Sequence, residues 1–162
     1  MNFRIGFGYD IHPFAPDRSL WLGGVLIPHT QGLLGHSDSD VLTHAICDAL
    51  LGSANLRDIG YHFPNTSSEY KNISSILLLE KVRVLLLQEK GLVVGNIDAT
   101  VCAEAPKINP YVPKMQEVLA KALLIKTDQI SIKATTNEKL GAIGREEGIA
   151  AYAVALVYPP NS

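Results

Sequence analysis

The chain has 162 residues, 47% of them hydrophobic and 19% charged, with a formal net charge of -2. That length predicts a single domain, 1–162, with enough apolar material to bury a core unaided by staples. The near-neutral balance argues against a general nucleic-acid or membrane-surface binder, so a polyanionic ligand must be held by local devices such as metal ions or a few lysines.

Phe3, Ile5 and Phe7 alternate with Arg4, Gly6 and Gly8, the spacing of a half-buried strand ending near Tyr9. Leu20–Leu22 and Val25–Ile27 flank Gly23-Gly24 and read as a hairpin. The run Ser37-Asp38-Ser39-Asp40 offers helix caps, and Asp40 to Leu51 reads as the first helix, stopped by Gly52. Residues 58–75 are polar and read as a long loop, of the kind that often carries function. A second helix is predicted from about Ser74 to Lys90, closed by Gly91, and a strand from Ile97 to Cys102. Asn109-Pro110 opens a third helix reaching about Leu123. Strands at Ile130–Ala134 and Ile149–Tyr158 flank a Gly-rich loop, 136–148. Helices and strands mix without strict alternation, which predicts an α+β sandwich of one mixed sheet covered by helices, plus the small hairpin.

Cys47 and Cys102 stand far apart in no metal-type pairing, and read as reduced, largely buried thiols. There is no cationic segment followed by an apolar run and no stretch apolar enough to span a bilayer. A cytoplasmic location is expected, or a plastid one if the source is a plant or alga and a transit peptide has been removed.

Asp10-x-His12 places a carboxylate and an imidazole on one side of an extended segment, a pair suited to a borderline divalent ion such as zinc. Asp40, His44 and Asp48 follow at i, i+4 and i+8 and form one narrow polar stripe on the first helix. His44 is the candidate third ligand, with Asp40 or Asp48 expected to hold its other nitrogen. Three protein ligands leave a fourth position open, the catalytic arrangement. Taken alone each piece is weak: Asp-x-His arises by chance, and a lone helix histidine is more often a satisfied semi-buried residue.

His36-Ser37 precedes the first helix, where free N–H groups attract anions, although ordinary capping is equally compatible. Thr135-Thr136-Asn137-Glu138-Lys139 leaves a strand for a glycine-rich loop that can cradle a phosphate, and Glu138 can hold a hard cation; a small polar turn is the simpler reading. Ala103-Glu104-Ala105-Pro106-Lys107 lets a flat ring approach the backbone, but by itself reads as a surface loop. His29 and His62 have no partner at ligand spacing.

Taken in order, these motifs resemble one family. They are Arg4-Ile5-Gly6-x-Gly8-x-Asp10-x-His12, Gly35-His36-Ser37-Asp38-x-Asp40-Val41, Asp58-Ile59-Gly60, Ala105-Pro106-Lys107, and Lys133-Ala134-Thr135-Thr136-x-Glu138-Lys139-Leu140-Gly141 followed by Gly144-Arg145. The chain is similar, from Phe3 to Tyr158, to the 2-C-methyl-D-erythritol 2,4-cyclodiphosphate synthases of the non-mevalonate isoprenoid pathway.

The resemblance implies a lyase acting on 4-diphosphocytidyl-2-C-methyl-D-erythritol 2-phosphate, cyclising it with release of CMP. It implies zinc on Asp10, His12 and His44, and a second divalent cation, magnesium or manganese, between the substrate phosphates near Glu138. His36 and Thr136 would be catalytic, positioning groups and stabilising the transition state. Asp10, His12, Ser37, Asp58, Ile59 and Gly60 would border the erythritol phosphate, with Phe63, Pro64, Asn65, Thr66 and Ser67 lining the same pocket. Ala103, Glu104, Ala105, Pro106, Lys107, Ile108 and Asn109 would hold cytosine. Thr135, Asn137, Ala142 and Arg145 complete the implied substrate contacts. The family forms homotrimers with sites between subunits, and binds neither nucleic acid nor membrane. It usually carries a carboxylate where Asn65 stands and a larger residue where Ala142 stands. Two rival readings are a metal-dependent phosphohydrolase and a zinc-stabilised nucleotide-binding module.

Overall fold

In the computed structural model, which describes residues 2–160, the first strand is longer than the Phe3–Tyr9 alternation predicts. β1 covers Arg4–Ala15 and pairs antiparallel with the last strand, β7 (Gly148–Tyr158), from Arg4↔Val157 to Pro13↔Gly148. Pro13 has no N–H to give, and the pairing there passes to a short edge strand, β4 (Gly32–Leu33), with Phe14 opposite Leu33. Asp10 and His12 therefore lie inside the strand rather than at its end. The ladder supplied by β7 holds these polar residues extended, which local propensity does not reveal.

The hairpin of β2 (Leu20–Leu22) and β3 (Val25–Ile27) turns at Gly23 and Gly24, with φ 56° and 73°, as predicted. Both turn residues need the left-handed region, where a side chain is costly. The first helix, α1 (Val41–Ser53), is capped by Asp40 as expected but continues through Gly52 to end at Ala54. A helical glycine costs about 1 kcal/mol, and burial of Leu50, Leu51 and Ser53 around it offsets that. The polar stretch after Asp58 holds a short helix, α2 (Ile59–His62), and a 3-10 turn, Ser68–Tyr70. Both are one-turn elements started by a capping side chain, too short for a periodicity search. α3 (Ser75–Lys90) closes at Gly91 as predicted. β5 (Val93–Cys102) begins four residues before Ile97. A 3-10 turn at Asn109–Tyr111 leads into α4 (Val112–Leu123), and β6 spans Ile130–Thr135. A single turn, α5 (Gly141–Gly144), lies in the Gly-rich loop.

The main sheet has the order β4-β1-β7-β5-β6, with β2-β3 apart from it. Among the described residues, only β5 and β6 are parallel neighbours. This is the mixed α+β sheet, helix-covered and accompanied by a hairpin, that the element order implies. Because β7 is antiparallel to both β1 and β5, strands β1, β5 and β6 all point the same way. Asp10 is level with Ala151, Val101 and Ala134 across the four strands. The ends of β1, β5 and β6 thus open at one end of the sheet.

α1 lies on the inner face, in the main core, apolar almost all round and buried accordingly. A Cβ on Gly6 would sit 1.9 Å from the Ala49 carbonyl oxygen, and one on Gly8 1.9 Å from that of Ala45. The glycines of β1 therefore face the core. The large apolar residues face outward, with Ile5 61% and Phe7 62% exposed beside Tyr9, Ile11, Tyr152 and Val154. The half-buried strand is inverted: its apolar side is the uncovered one. No helix among the described residues is long and apolar enough to cross a membrane, and Cys47 and Cys102 are free and buried as expected.

Candidate functional site

Alternation along β1 turns Asp10 and His12 toward the helix, and the close approach of α1 at Gly6 and Gly8 brings His44 onto them. His44 Nδ1 lies 2.9 Å and His12 Nε2 3.0 Å from Asp10 Oδ2, and the two nitrogens are 3.3 Å apart. Among the described residues, this is the one set of three metal-ligating side chains brought together.

Their outer contacts set the proton positions. His12 Nδ1 lies 2.7 Å from the Leu34 carbonyl oxygen, so that nitrogen donates and Nε2 keeps its lone pair. His44 Nε2 is 2.8 Å from Ser75 Oγ and 3.1 Å from Ser37 Oγ. The Ser75 hydroxyl donates to Asp38, so its oxygen accepts from His44 Nε2–H and leaves the Nδ1 lone pair facing inward. Two nitrogen lone pairs and a carboxylate oxygen then confront one another at close range. Ligands about 2.1 Å from a tetrahedral divalent ion are about 3.4 Å apart, so the donor set fits such an ion. Burial tends to raise the Asp10 carboxyl, but in metal-free protein N–H groups of protonated His12 and His44 rings donate to it and their charge adds to the effect, so the group lies well below the usual carboxylate range.

The expected partners of His44 are elsewhere. Asp40 accepts Thr43 N–H and Oγ–H together with the N–H groups of Gly23 and Gly24, at 2.7–3.0 Å. Asp48 accepts Ile59 N–H at 2.8 Å. Spacing puts them on the His44 stripe, but a cap carboxylate turns back onto unpaired N–H groups. Ser75 does the work instead, and it is fully buried at the start of α3. In the sequence Ser75 stands only at the junction of the polar 58–75 stretch and the second helix, with nothing local to link it to His44.

A cleft of about 300 Å³ opens beside the metal donors, lined by His36, Ser37, His44, Ile59, Gly60, Phe63, Pro64, Asn65 and Thr66. His36 Nε2–H donates to the Ser67 carbonyl at 3.1 Å, tying the 63–67 loop to the α1 approach. Tyr70, Ile73 and Leu78 also line it and were missed. The only signal for Tyr70 and Ile73 was their apolar character in a polar loop. Asp58 accepts Tyr61 N–H at 2.9 Å as the α2 cap and is absent from this lining.

A second cleft, about 450 Å³, is lined by Ala103, Glu104, Pro106, Lys107, Ile108 and Asn109 with Thr135 and Thr136. Ile108 is 4% exposed and packs in the core, so its backbone is what it offers the cleft. Thr136 Oγ donates to Glu138 at 2.9 Å, and Glu104 accepts Asn137 N–H at 3.0 Å. Ala142 is exposed on the following turn, where Arg145 donates to Glu147 at 2.6 Å. No set of three ligand-type side chains among the described residues includes Glu138, so a cation there would need oxygens from elsewhere. The two clefts share no residue. Within one chain the two clefts are separate, and Asp10, His12, Asp58 and Ser67 are outside the lining of the first and Ala105 outside that of the second.

The chain matches the family described as YgbB over residues 3–158. It is 62% identical over 157 residues to the 2-C-methyl-D-erythritol 2,4-cyclodiphosphate synthase of Parabacteroides distasonis, covering 97% of each chain. The protein of that name from Bacteroides fragilis is 61% identical, with 97% of this chain and 98% of that one covered. Among solved structures, the bifunctional IspDF of Campylobacter jejuni matches with TM-score 0.91 and 42% identity over 96% of this chain, which spans 42% of that longer protein. The CDP complex of Plasmodium falciparum IspF matches with TM-score 0.85 and 37% identity, over 98% of this chain and 97% of that one. Similarity of this extent and depth means that the chain belongs to the YgbB family, together with the 2-C-methyl-D-erythritol 2,4-cyclodiphosphate synthases.

Proposed function

We propose that this protein converts 4-diphosphocytidyl-2-C-methyl-D-erythritol 2-phosphate to 2-C-methyl-D-erythritol 2,4-cyclodiphosphate and CMP, as a single catalytic domain in the cytoplasm. An oxygen of the 2-phosphate bonds to the β-phosphorus as the bond from that phosphorus to the CMP oxygen breaks. The observation that carries this reading is the convergence of Asp10, His12 and His44 at the sheet end where Thr135–Glu138 also emerge.

The attacking oxygen is already ionised near neutral pH, so the chemistry needs alignment and charge relief rather than a strong base. A divalent ion on Asp10, His12 and His44, which we assign as zinc, supplies electrostatic relief when bound. His36 and Ser37 hold the erythritol phosphate portion beside these donors. The Asp58-Ile59-Gly60 turn and the 63–67 loop close over it. Ala103 to Asn109 present backbone groups to cytosine, with Lys107 at the rim. Thr135, Thr136 and Asn137 border the diphosphate, and Glu138 would help to hold a magnesium or manganese ion, which would relieve charge on the phosphates. Ala142 and Arg145 border the same region.

We further infer a homotrimer in which the 300 Å³ cleft of one subunit meets the 450 Å³ cleft of the next. Two features support this: the clefts are separate within the chain, and an apolar sheet face lies open.

The deciding experiment incubates purified protein with the cytidyl diphosphate substrate, with and without chelator, and reads products by mass spectrometry. A cyclic diphosphate plus CMP, lost on chelation, is expected. A linear phosphate carrying an oxygen from labelled water would establish a hydrolase instead. His44→Ala is expected to stay folded, with greatly weakened zinc binding and no turnover. An unfolded variant would point to a structural zinc module.

A further inference from the structure

Glu104 stands in the connection after β5, yet its side chain is 4% exposed. Oε1 accepts both Asn137 N–H, at 3.0 Å, and Lys139 N–H, at 3.2 Å, while Oε2 lies 3.1 Å from Lys139 Nζ. These contacts all run to the segment beyond β6, 33 and 35 residues further along. The two amides flank Glu138, and both Glu138 (φ 51°) and Lys139 (φ 64°) occupy the left-handed region. L residues stay there only when their surroundings hold them. Neighbouring N–H groups in such a segment form a concavity that binds an anion, and here a carboxylate of the chain fills it. Thr136, whose hydroxyl donates to Glu138 at 2.9 Å, belongs to the same braced unit.

We propose that Glu104 is a positioning residue that shapes the Thr136–Glu138 segment against the 103–109 connection, so that one carboxylate couples the nucleotide pocket to the reacting phosphates. This rests on the placement of cytosine and phosphates given above. Glu104 acts through the loop rather than on the base, since its carboxylate is already occupied by three donors.

Both amides go to the same oxygen, which lets two substitutions separate shape from charge. In Glu104→Gln the amide oxygen keeps both N–H bonds and loses only the pairing with Lys139. In Glu104→Ala the brace is gone. The readouts are kcat and KM on the cytidyl diphosphate substrate, CDP affinity by calorimetry, and amide hydrogen exchange over residues 136–140. For Glu104→Ala, kcat is expected to fall about 10–100-fold, with CDP affinity within about threefold and exchange over 136–140 at least about tenfold faster. Glu104→Gln is expected to keep exchange over 136–140 within about threefold of the parent, because both N–H bonds survive. Collapse of CDP affinity with unchanged exchange in Glu104→Ala would place Glu104 on the base and overturn the proposal. Equal damage from Glu104→Gln would overturn it too, because charge rather than shape would then be what matters. Should the alanine variant misfold, Glu104→Asp, whose carboxylate is drawn back by one methylene, is expected to show the same losses; a normal Glu104→Asp protein would count against the brace. Exchange and CDP binding do not require turnover, so they judge the brace even if the parent proves inactive on this substrate.

Discussion

His44 is 6% exposed and has hydrogen-bond partners at both ring nitrogens. Its function as a ligand depends on which nitrogen carries the proton, and Asp38 decides that through Ser75. Ser75→Ala removes the acceptor nearest Nε2 and lets the ring change tautomer or tilt. Zinc affinity is expected to fall about 10–100-fold while the fold is kept, since Ser37 Oγ remains at 3.1 Å; competition against a chromogenic chelator measures it. Unchanged affinity would mean that Ser37 alone orients the ring.

The same cluster predicts how stability follows pH. In metal-free protein, burial pulls the His44 value down, but the bond that its protonated ring donates to Asp10, with the charge of that carboxylate, outweighs it and the net shift is upward. A raised histidine stabilises fully below its unfolded value, about 6.5, and that contribution is lost as pH rises through the folded value. The lowered Asp10 adds stability above the ordinary carboxylate range, lost as pH falls through its depressed value. A bound divalent ion competes with the His44 proton, so its stabilisation grows with pH. Thermal melts with and without chelator should differ little near pH 5 and strongly near pH 8. An equal gap at both would remove these histidines from the metal site.

At the scale of elements, the contact between β1 and α1 sets the metal geometry. Gly8→Ala would drive a methyl into the Ala45 carbonyl one residue from His44, where the nearest atom is 1.9 Å away. Helix and strand must separate, and a loss of about 3 kcal/mol is expected in denaturant melts, together with weaker metal binding. Gly52→Ala is the contrast. It sits in the same helix, its nearest neighbour is 3.9 Å away, and the substitution is expected to stabilise by about 0.5–1 kcal/mol. If both behaved alike, close packing would not be the reason for the glycines of β1.

For the whole molecule, the uncovered face of β1 and β7 is decisive. Phe7, opposite Val154 and 62% exposed, contributes nothing to the core of its own chain. Phe7→Glu is therefore expected to leave a folded subunit with metal affinity within about threefold of the parent, yet to convert the proposed trimer to monomer and abolish turnover. Sedimentation velocity and a metal titration on one sample check this. A parent protein that sediments as a monomer would remove the shared-site reading.

Much of this was legible in the chain itself, wherever the signal was local. Asp40 marks the start of α1, Gly23-Gly24 marks the turn, and Gly91 ends α3, because each acts on N–H groups or dihedrals within a few residues. Asp10-x-His12 was readable because alternation puts both donors on one side. The tertiary structure decided what depends on distant partners. Period two separates the glycine face of β1 from the Ile5–Phe7 face but does not say which is covered; contact with α1 says that. Helical spacing offered Asp40 and Asp48 to His44, yet turns and helix ends claimed both, and a serine 31 residues away took the place. Glu104 looked like part of a binding loop until the neighbouring strand brought two amides to one of its oxygens. Local chemistry nominates donors and caps, whereas only packing determines which unpaired group each one meets.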